Sequence, residues 1–207
     1  MATFRAIAAV SEAVIRLLQS SYSPALFDGN ELDFRVLGSA DFSTPPLQAG
    51  VSLFVYRILA EGTHRTPAGR RGPGGVRLRS ELPLEVHFLL TAWAQDPSLQ
   101  NTIAGWMMRT LEDTPTLPAG LLNAVWADTF RQDEGLEVIL NDLSTEDLFH
   151  IWDVLTEHGY QLSVPYTARV VRIESALEQP SGILVSERVL GLGTLGSNSA
   201  SVGGDRA

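Results

Sequence analysis

The stretch LPLEVHFLLTAWA, residues 82–94, constrains the fold more than any other. Leu82, Leu84, Val86, Phe88, Leu90 and Ala92 recur at period two, the spacing that puts alternate residues of a strand on one face of a sheet. Glu85, His87 and Thr91 fall on the opposite face. The upstream run VSLFVYRIL, residues 51–59, carries β-branched and aromatic residues on both alternating faces, as suits a central strand covered on two sides. His87 therefore reads as an outward-facing strand residue, with partner contact and general-base chemistry as alternatives. A base needs a nucleophile or substrate to act on, and the sequence nominates neither.

Helical spacing alternates with these strands. Ile7, Val10, Val14, Leu17 and Leu18 make an amphipathic first helix that Ser23-Pro24 stops. After Asp28-Gly29-Asn30, ELDFRVL predicts a short strand, and Pro45-Pro46 breaks regular structure. Asp96 is a good N-cap and Pro97 a good first helical residue for a stripe of Leu99, Ile103, Trp106, Met107 and Leu111, which Thr114-Pro115 ends. A weaker helical pattern covers Leu121, Leu122, Val125 and Trp126, and GLEVILN predicts another strand. LSTEDLFHIWDVL then starts on a capping-box-like pair, Ser144 with Asp147, and buries Leu148, Ile151, Trp152 and Leu155 before Gly159 closes it. In YQLSVPYTARVVRI, Leu162, Val164, Tyr166, Ala168 and Val170 share one side, and Pro165 argues for an edge strand or a bulge. These elements predict one α+β domain over residues 1–180. The apolar run ILVSERVL precedes GLGTLGSNSASVGGDRA, which reads as small, flexible and too polar to bury much, and residues 181–207 are expected to form a flexible, Gly/Ser-rich extension.

Composition removes several chemistries. With no cysteine there is no disulfide framework, thiolate nucleophile or Cys-based zinc site. All 15 basic residues are arginine, so a lysine Schiff base and a Walker A loop are excluded. A net charge of −9, with no aromatic-studded basic face, argues against nucleic acid as a partner. The first residues, MATFRAIAAVSEAV, do not resemble a secretory signal, and no apolar run approaches a membrane span, so cytoplasmic synthesis and no membrane partner are expected.

Other constellations carry less. Gly191, Gly193 and Gly196 formally spell a dinucleotide fingerprint, but no room remains for the helix and the acid such a site requires, so they read as tail. Glu146, His150, Asp153 and Glu157 line the polar face of their helix; the pattern lacks the specificity of H-E-x-x-H and reads as a solvated acidic surface rather than a metal site. No G-x-S-x-G elbow exists, and the histidines lack ligand spacing. Catalytic, cofactor and metal residues are accordingly expected to be absent. A small hydrolase or ligand-binding domain using His87 or the acidic helix face is the alternative from another class.

Charge is unevenly distributed. From Glu112 to Glu157 there are eleven acids and one arginine. The segment EGTHRTPAGRRGPGGVRLRS, residues 61–80, has five arginines against one acid, with five glycines and two prolines. It reads as a long arm projecting from a hairpin, a length that is functional or disordered. Both regions are either ordinary solvated surface or complementary patches through which copies dock head-to-tail; charge alone leaves both open.

In their order along the chain, VSLFVYRIL, LPLEVHFLLTAWAQD, IAGWMMRTLEDTP, LSTEDLFHIWDVL and YQLSVPYTARVVRI resemble the tube-cap, or tail-terminator, proteins of phage-tail-like contractile injection systems, including the extracellular antifeeding-prophage and Photorhabdus virulence-cassette type. The resemblance covers about residues 5–175. It implies a mixed, largely antiparallel sheet flanked by helices and a non-enzymatic role without cofactors. A homohexameric ring would close the inner tube at the end distal to the baseplate, stop its growth and anchor the last sheath ring, on particles assembled in the cytoplasm. The partners implied are the chain itself, the inner tube protein and the sheath protein. A terminator or adaptor of an ordinary phage tail is the nearer alternative. Within that frame Arg65, Arg70, Arg71, Arg77 and Arg79 are expected to dock on acidic surface, for which Glu146, Asp153 and Glu157 are candidates, since arginine forks suit carboxylates. The tail from about Ser181 is expected to order on contact with sheath.

Overall fold

The apolar stripe at residues 7–18 builds helix α1 (Ala6–Ser21), and the chain leaves it in extended geometry at Tyr22. The computed structural model describes residues 2–43, 46–63, 70–71, 77–155, 159–175 and 177. The 181–207 extension, Arg65 and Glu157 lie outside the described residues.

After a 3-10 turn (Pro24–Phe27) come strand β1 (Asp33–Val36), a second 3-10 turn (Ser39–Ser43) and β2 (Gly50–Ala60). Two-residue strands β3 (Arg70–Arg71) and β4 (Arg77–Leu78) pair with each other, and β5 (Leu82–Trp93) follows. Helix α2 (Pro97–Asp113), β6 (Thr116–Pro118), the single turn α3 (Ala119–Leu122), β7 (Gly135–Leu140), α4 (Thr145–Leu155) and β8 (Ser163–Ile173) complete the domain.

The main sheet has the order β1-β2-β5-β8-β7-β6. β1 runs parallel to β2, and every other neighbouring pair is antiparallel, so the sheet is mixed and largely antiparallel. Gly50 makes the parallel edge possible: its φ is +146°, and a Cβ there would sit 2.0 Å from the Asp33 carbonyl oxygen.

One face of the sheet is dry. Leu84, Val86, Phe88, Leu90 and Ala92 of β5 pack with Val51 and Leu53 of β2, Val138 of β7 and Tyr166, Ala168 and Val171 of β8. Above them lie Val10, Val14 and Leu18 of α1, Ile103, Met107 and Leu111 of α2, and Leu122 of α3. The Asp96 carboxylate accepts from the Leu99 N–H at 2.9 Å, and Pro97 occupies the first turn, as the N-cap chemistry predicts. The Ser144 Oγ accepts from the Asp147 N–H at 3.1 Å and donates to its carboxylate at 2.7 Å, which starts α4.

Four expectations need correction. The helical pattern at 121–126 stops at Leu122, because the Asn123 side chain bonds the Phe130 N–H at 2.8 Å and its carbonyl at 3.0 Å and so closes a loop. β8 is an interior strand, paired on both sides. Pro165 fits there because its side of β8 faces the end of β7: the Pro165 carbonyl accepts from Asn141, one residue beyond Leu140, so the absent N–H interrupts no ladder. Opposite Glu85, the register shifts between Leu84 and Val86, and this bulge turns Val171 rather than Val170 into the core. Finally, β2 is covered on both faces only in its first half; Arg57–Ala60 is exposed.

Candidate functional site

The second face of the sheet holds the residues whose chemistry the sequence left open. Its upper half is an aromatic cluster in which Phe42 of the second 3-10 turn, Trp93 of β5 and Trp152 of α4 meet, with Phe42 and Trp152 rings 5.6 Å apart and edge-on. Both indoles are hydrogen-bonded: Trp93 Nε1 donates to Ser52 Oγ at 2.8 Å and Trp152 Nε1 to Ser163 Oγ at 3.2 Å. Ser163 Oγ gives its own proton to the Gln161 carbonyl at 2.9 Å, so Thr91, also 2.9 Å away, is the donor in their pair.

His87 lies just below, and it is 5% exposed rather than outward-facing. The period-two pattern placed it on the correct face; there Asn141, Tyr56 and Thr167 close around it, so it does not face water. Its Nδ1 accepts from the Asn141 amide at 2.9 Å and lies 3.0 Å from Thr167 Oγ1. The Asn141 amide also reaches the Tyr56 hydroxyl at 2.9 Å, and the Tyr56 ring lies 6.0 Å from the imidazole. Accepting at Nδ1 puts the ring proton on Nε2, which faces Glu85 Oε2 at 3.6 Å, beyond hydrogen-bond reach. Burial, and secondarily the Arg57 guanidinium, push the His87 pKa below its usual 6.5, so the ring is neutral at pH 7. Burial likewise raises Tyr56. Around His87 stand an amide, a phenol, a threonine and a glutamate, none of them an activated nucleophile, and the arrangement does what a buried polar seam does: it sets the register of β5 against β7 and β8.

Below His87 the face opens into a cleft of about 600 Å³ lined by Glu61, Glu85, Glu134 and Glu137 with Arg169 and Arg172. Arg169 Nε donates to Glu137 at 3.2 Å. The cleft joins Glu85 of β5, Glu137 of β7 and Arg169 and Arg172 of β8 with Glu61 just past β2 and Glu134 just before β7, residues that only the strand order brings together. Beside α4, a second groove of about 540 Å³ is lined chiefly by Phe54, Tyr56, Arg57, Ile151, Val154 and Leu155, and Val154 is 87% exposed.

Of the arginines expected to bind a partner, Arg70, Arg71 and Arg77 lie in the β3–β4 pair between the end of β2 and the start of β5. Arg70 pairs with Leu78 and Arg71 with Arg77 across β3 and β4, and Arg79 is exposed. Glu146 and Asp153 are exposed on α4, two turns apart on one face. Trp152 in α4 packs on Trp93, the last residue of β5, whereas the hairpin precedes Leu82, its first. Arginine hairpin and acidic helix thus stand toward opposite ends of a twelve-residue strand, roughly 35 Å long. No group of three or more His, Asp or Glu among the described residues is arranged to hold a metal ion. Among the described residues no helix is long and apolar enough to cross a membrane.

Residues 9–187 match the model of the Pvc16 N-terminal domain. The chain belongs to that family. Two solved structures share its fold: the sheath/tube terminator, in the extended state, of the extracellular contractile injection system PVC (TM-score 0.60, 18% identity, 93% of this chain and 65% of that one), and the tube-terminating cap of the anti-feeding prophage (TM-score 0.58, 16% identity, 88% and 60%). The Pvc16-family chain therefore spans somewhat less than two thirds of the length of either. No curated protein matches.

Proposed function

We propose that this chain is a tube-terminating cap of a contractile injection system: a structural protein that closes the end of the inner tube distal to the baseplate and carries the last sheath ring. The observation that carries this reading is the family match over residues 9–187, together with a fold shared along 93% of the chain with a sheath/tube terminator. The cap works through complementary surfaces and takes no cofactor. Copies assemble as a closed ring, hexameric by analogy, because a surface with distinct ends binds head-to-tail and closes when the rotation permits.

The charge layout supports that arrangement. An arginine hairpin at one end of β5 and an acidic helix toward the other are complementary between neighbouring copies, with Arg70, Arg71, Arg77 and Arg79, and Arg65 of the same arm, facing Glu146, Asp153 and Glu157. Particles are assembled in the producing cell's cytoplasm. The test is electron microscopy of sheathed particles from the producing strain with and without this gene. Loss of intact particles, or tubes of unregulated length, is expected; capped particles of normal length without the gene would reject the proposal.

A further inference from the structure

Two exposed features stand at opposite ends of β8 and match each other in chemistry. The first is a prong. Ala2 lies beside Ile173, the last residue of β8: its N–H donates to the Arg172 carbonyl at 3.1 Å and its carbonyl accepts from the Glu174 N–H at 2.9 Å. The Thr3 N–H then donates to the Thr129 carbonyl at 2.9 Å, and α1 begins at Ala6. Between these anchors Phe4 is 78% exposed. The Arg5 guanidinium lies 5.7 Å from the Phe4 ring centroid and has no carboxylate partner among the described residues. A large aromatic held in water by fixed backbone on both sides loses little freedom when it is covered, which suits it to anchor an interface.

The second feature is a pocket of about 310 Å³ beside α4, lined by Phe149, Trp152, Asp153, Gly159 and Tyr160. The Phe149 and Tyr160 rings meet edge-on at 5.2 Å and are 46% and 42% exposed. Trp152 lies 6.1 Å from Tyr160 and is bonded through its indole N–H to Ser163, the first residue of β8. Nothing stands within 4 Å of where a Gly159 Cβ would be, so that wall crowds nothing. Asp153 is exposed and has no cationic partner among the described residues. The volume is at the lower end of ligand pockets, room for an aromatic side chain and not for a folded element. Aromatic walls with one carboxylate among them fit a ring that carries a cation beside it.

We infer that the Phe4 ring of one copy fills this pocket on the next copy, with Arg5 paired to Asp153. The two features cannot meet within one chain, because the eleven residues of β8 hold them about 35 Å apart. Each copy therefore offers one prong and one pocket, a heterologous contact that closes into a ring when the rotation permits. Ile173 pairs with Leu82, so the prong stands at the end of the sheet where β5 starts, and the pocket stands at the other, beside α4. The buried ring supplies most of the affinity, and the Arg5–Asp153 pair fixes orientation. Glu146, two turns away on α4, remains for the arginine arm. The inference gives the ring of the proposed function a contact and rests on the ring in that reading.

Thiol cross-linking of the full chain added to inner tubes of its own system tests this contact. The chain contains no cysteine, so Ala8→Cys with His150→Cys supplies the only two thiols. Both positions are exposed, one helical turn from Arg5 and Asp153, and leave the contact residues intact. A short bismaleimide is expected to give a ladder of dimers, trimers and higher species that ends in one closed ring, and neither single variant is expected to pass the dimer. Phe4→Ala in the double variant is expected to lower the yield at least about tenfold while leaving the denaturant midpoint unchanged. Asp153→Arg is expected to lower it less, and Arg5→Asp added to it to restore it. Capped tubes whose subunits do not cross-link would overturn the inference and leave the cap reading standing. A ladder from chains that leave tubes uncapped would support the contact and overturn the cap. Cross-linking that stops at the dimer, or a yield that Phe4→Ala does not change, would overturn the contact; neither capping nor cross-linking would overturn both.

Discussion

The two faces of the sheet are built on different physics. The first is a continuous apolar layer, in which β5 supplies Leu84, Val86, Phe88, Leu90 and Ala92 against three helices. The second is a small apolar cluster of Phe42, Trp93 and Trp152 with Leu37 and Leu47, then a hydrogen-bonded seam around His87, then an open cleft. Burial of the first face drives folding, at about 25 cal/mol per Å² of apolar surface removed from water. The second face buys register, because a slip of one residue would strand the partners of His87, Thr91 and Trp93. It is also the face with room for partners.

The largest effect that would separate the faces comes from Phe88→Ala. Phe88 is 1% exposed and stacked 6.1 Å from Tyr166, and the cavity should cost about 3–5 kcal/mol of global stability, read as a lowered denaturant midpoint with an unchanged slope. Trp152→Ala also removes a buried ring, but from a smaller cluster whose other α4 members, Leu148 and Leu155, are only half-buried. Its cost should fall to about 2–3 kcal/mol. Exchange should accelerate in α4 while the β5 and β8 amides stay protected; equal acceleration throughout would mean that the faces are one cooperative unit.

A smaller effect isolates the seam. Because folding lowers the proton affinity of His87 below its usual 6.5, the unfolded chain binds the proton more readily, and stability falls as pH drops below 6.5. Above that value the group contributes no pH dependence. His87→Gln should flatten this part of the profile in chemical denaturation at several pH values; an unchanged slope would place the sensitivity elsewhere. The smallest effect is on the first face. Among the described residues the buried Tyr166 hydroxyl has no hydrogen-bond partner, and burial pushes its pKa up to about 12. Tyr166→Phe removes an unsatisfied group and should leave stability unchanged or raise it by about 1 kcal/mol. Clear destabilisation would show that the hydroxyl is satisfied in solution.

Local signals were legible wherever the physics is local. The Asp96 cap, the Ser144–Asp147 start of α4 and the stripe of α1 all follow from neighbours in sequence. His87 was misplaced because a polar residue on a strand's second face looks the same whether that face meets water or a second layer. Its cover comes from Tyr56, Asn141 and Thr167, which lie 31 residues before and 54 and 80 after His87 in the chain. Pro165 suggested an edge because its missing donor is visible in sequence, whereas the end of β7 beside it is not. The acidic cleft assembles side chains from three strands and the loops beside them, so only the strand order could reveal it. The five arginines of the arm were evident as a group, while the acidic partner proposed for them leaves no signal within their own segment.

The most direct test of a cap is to add the purified chain to growing inner tubes of its own system and image the ends. The account predicts ring-shaped density closing one end of each tube and growth halted there, with both effects lost when Arg70, Arg71, Arg77 and Arg79 are reversed to glutamate although the variant still folds. Tubes that keep growing with bare ends in the presence of folded wild-type protein would contradict it.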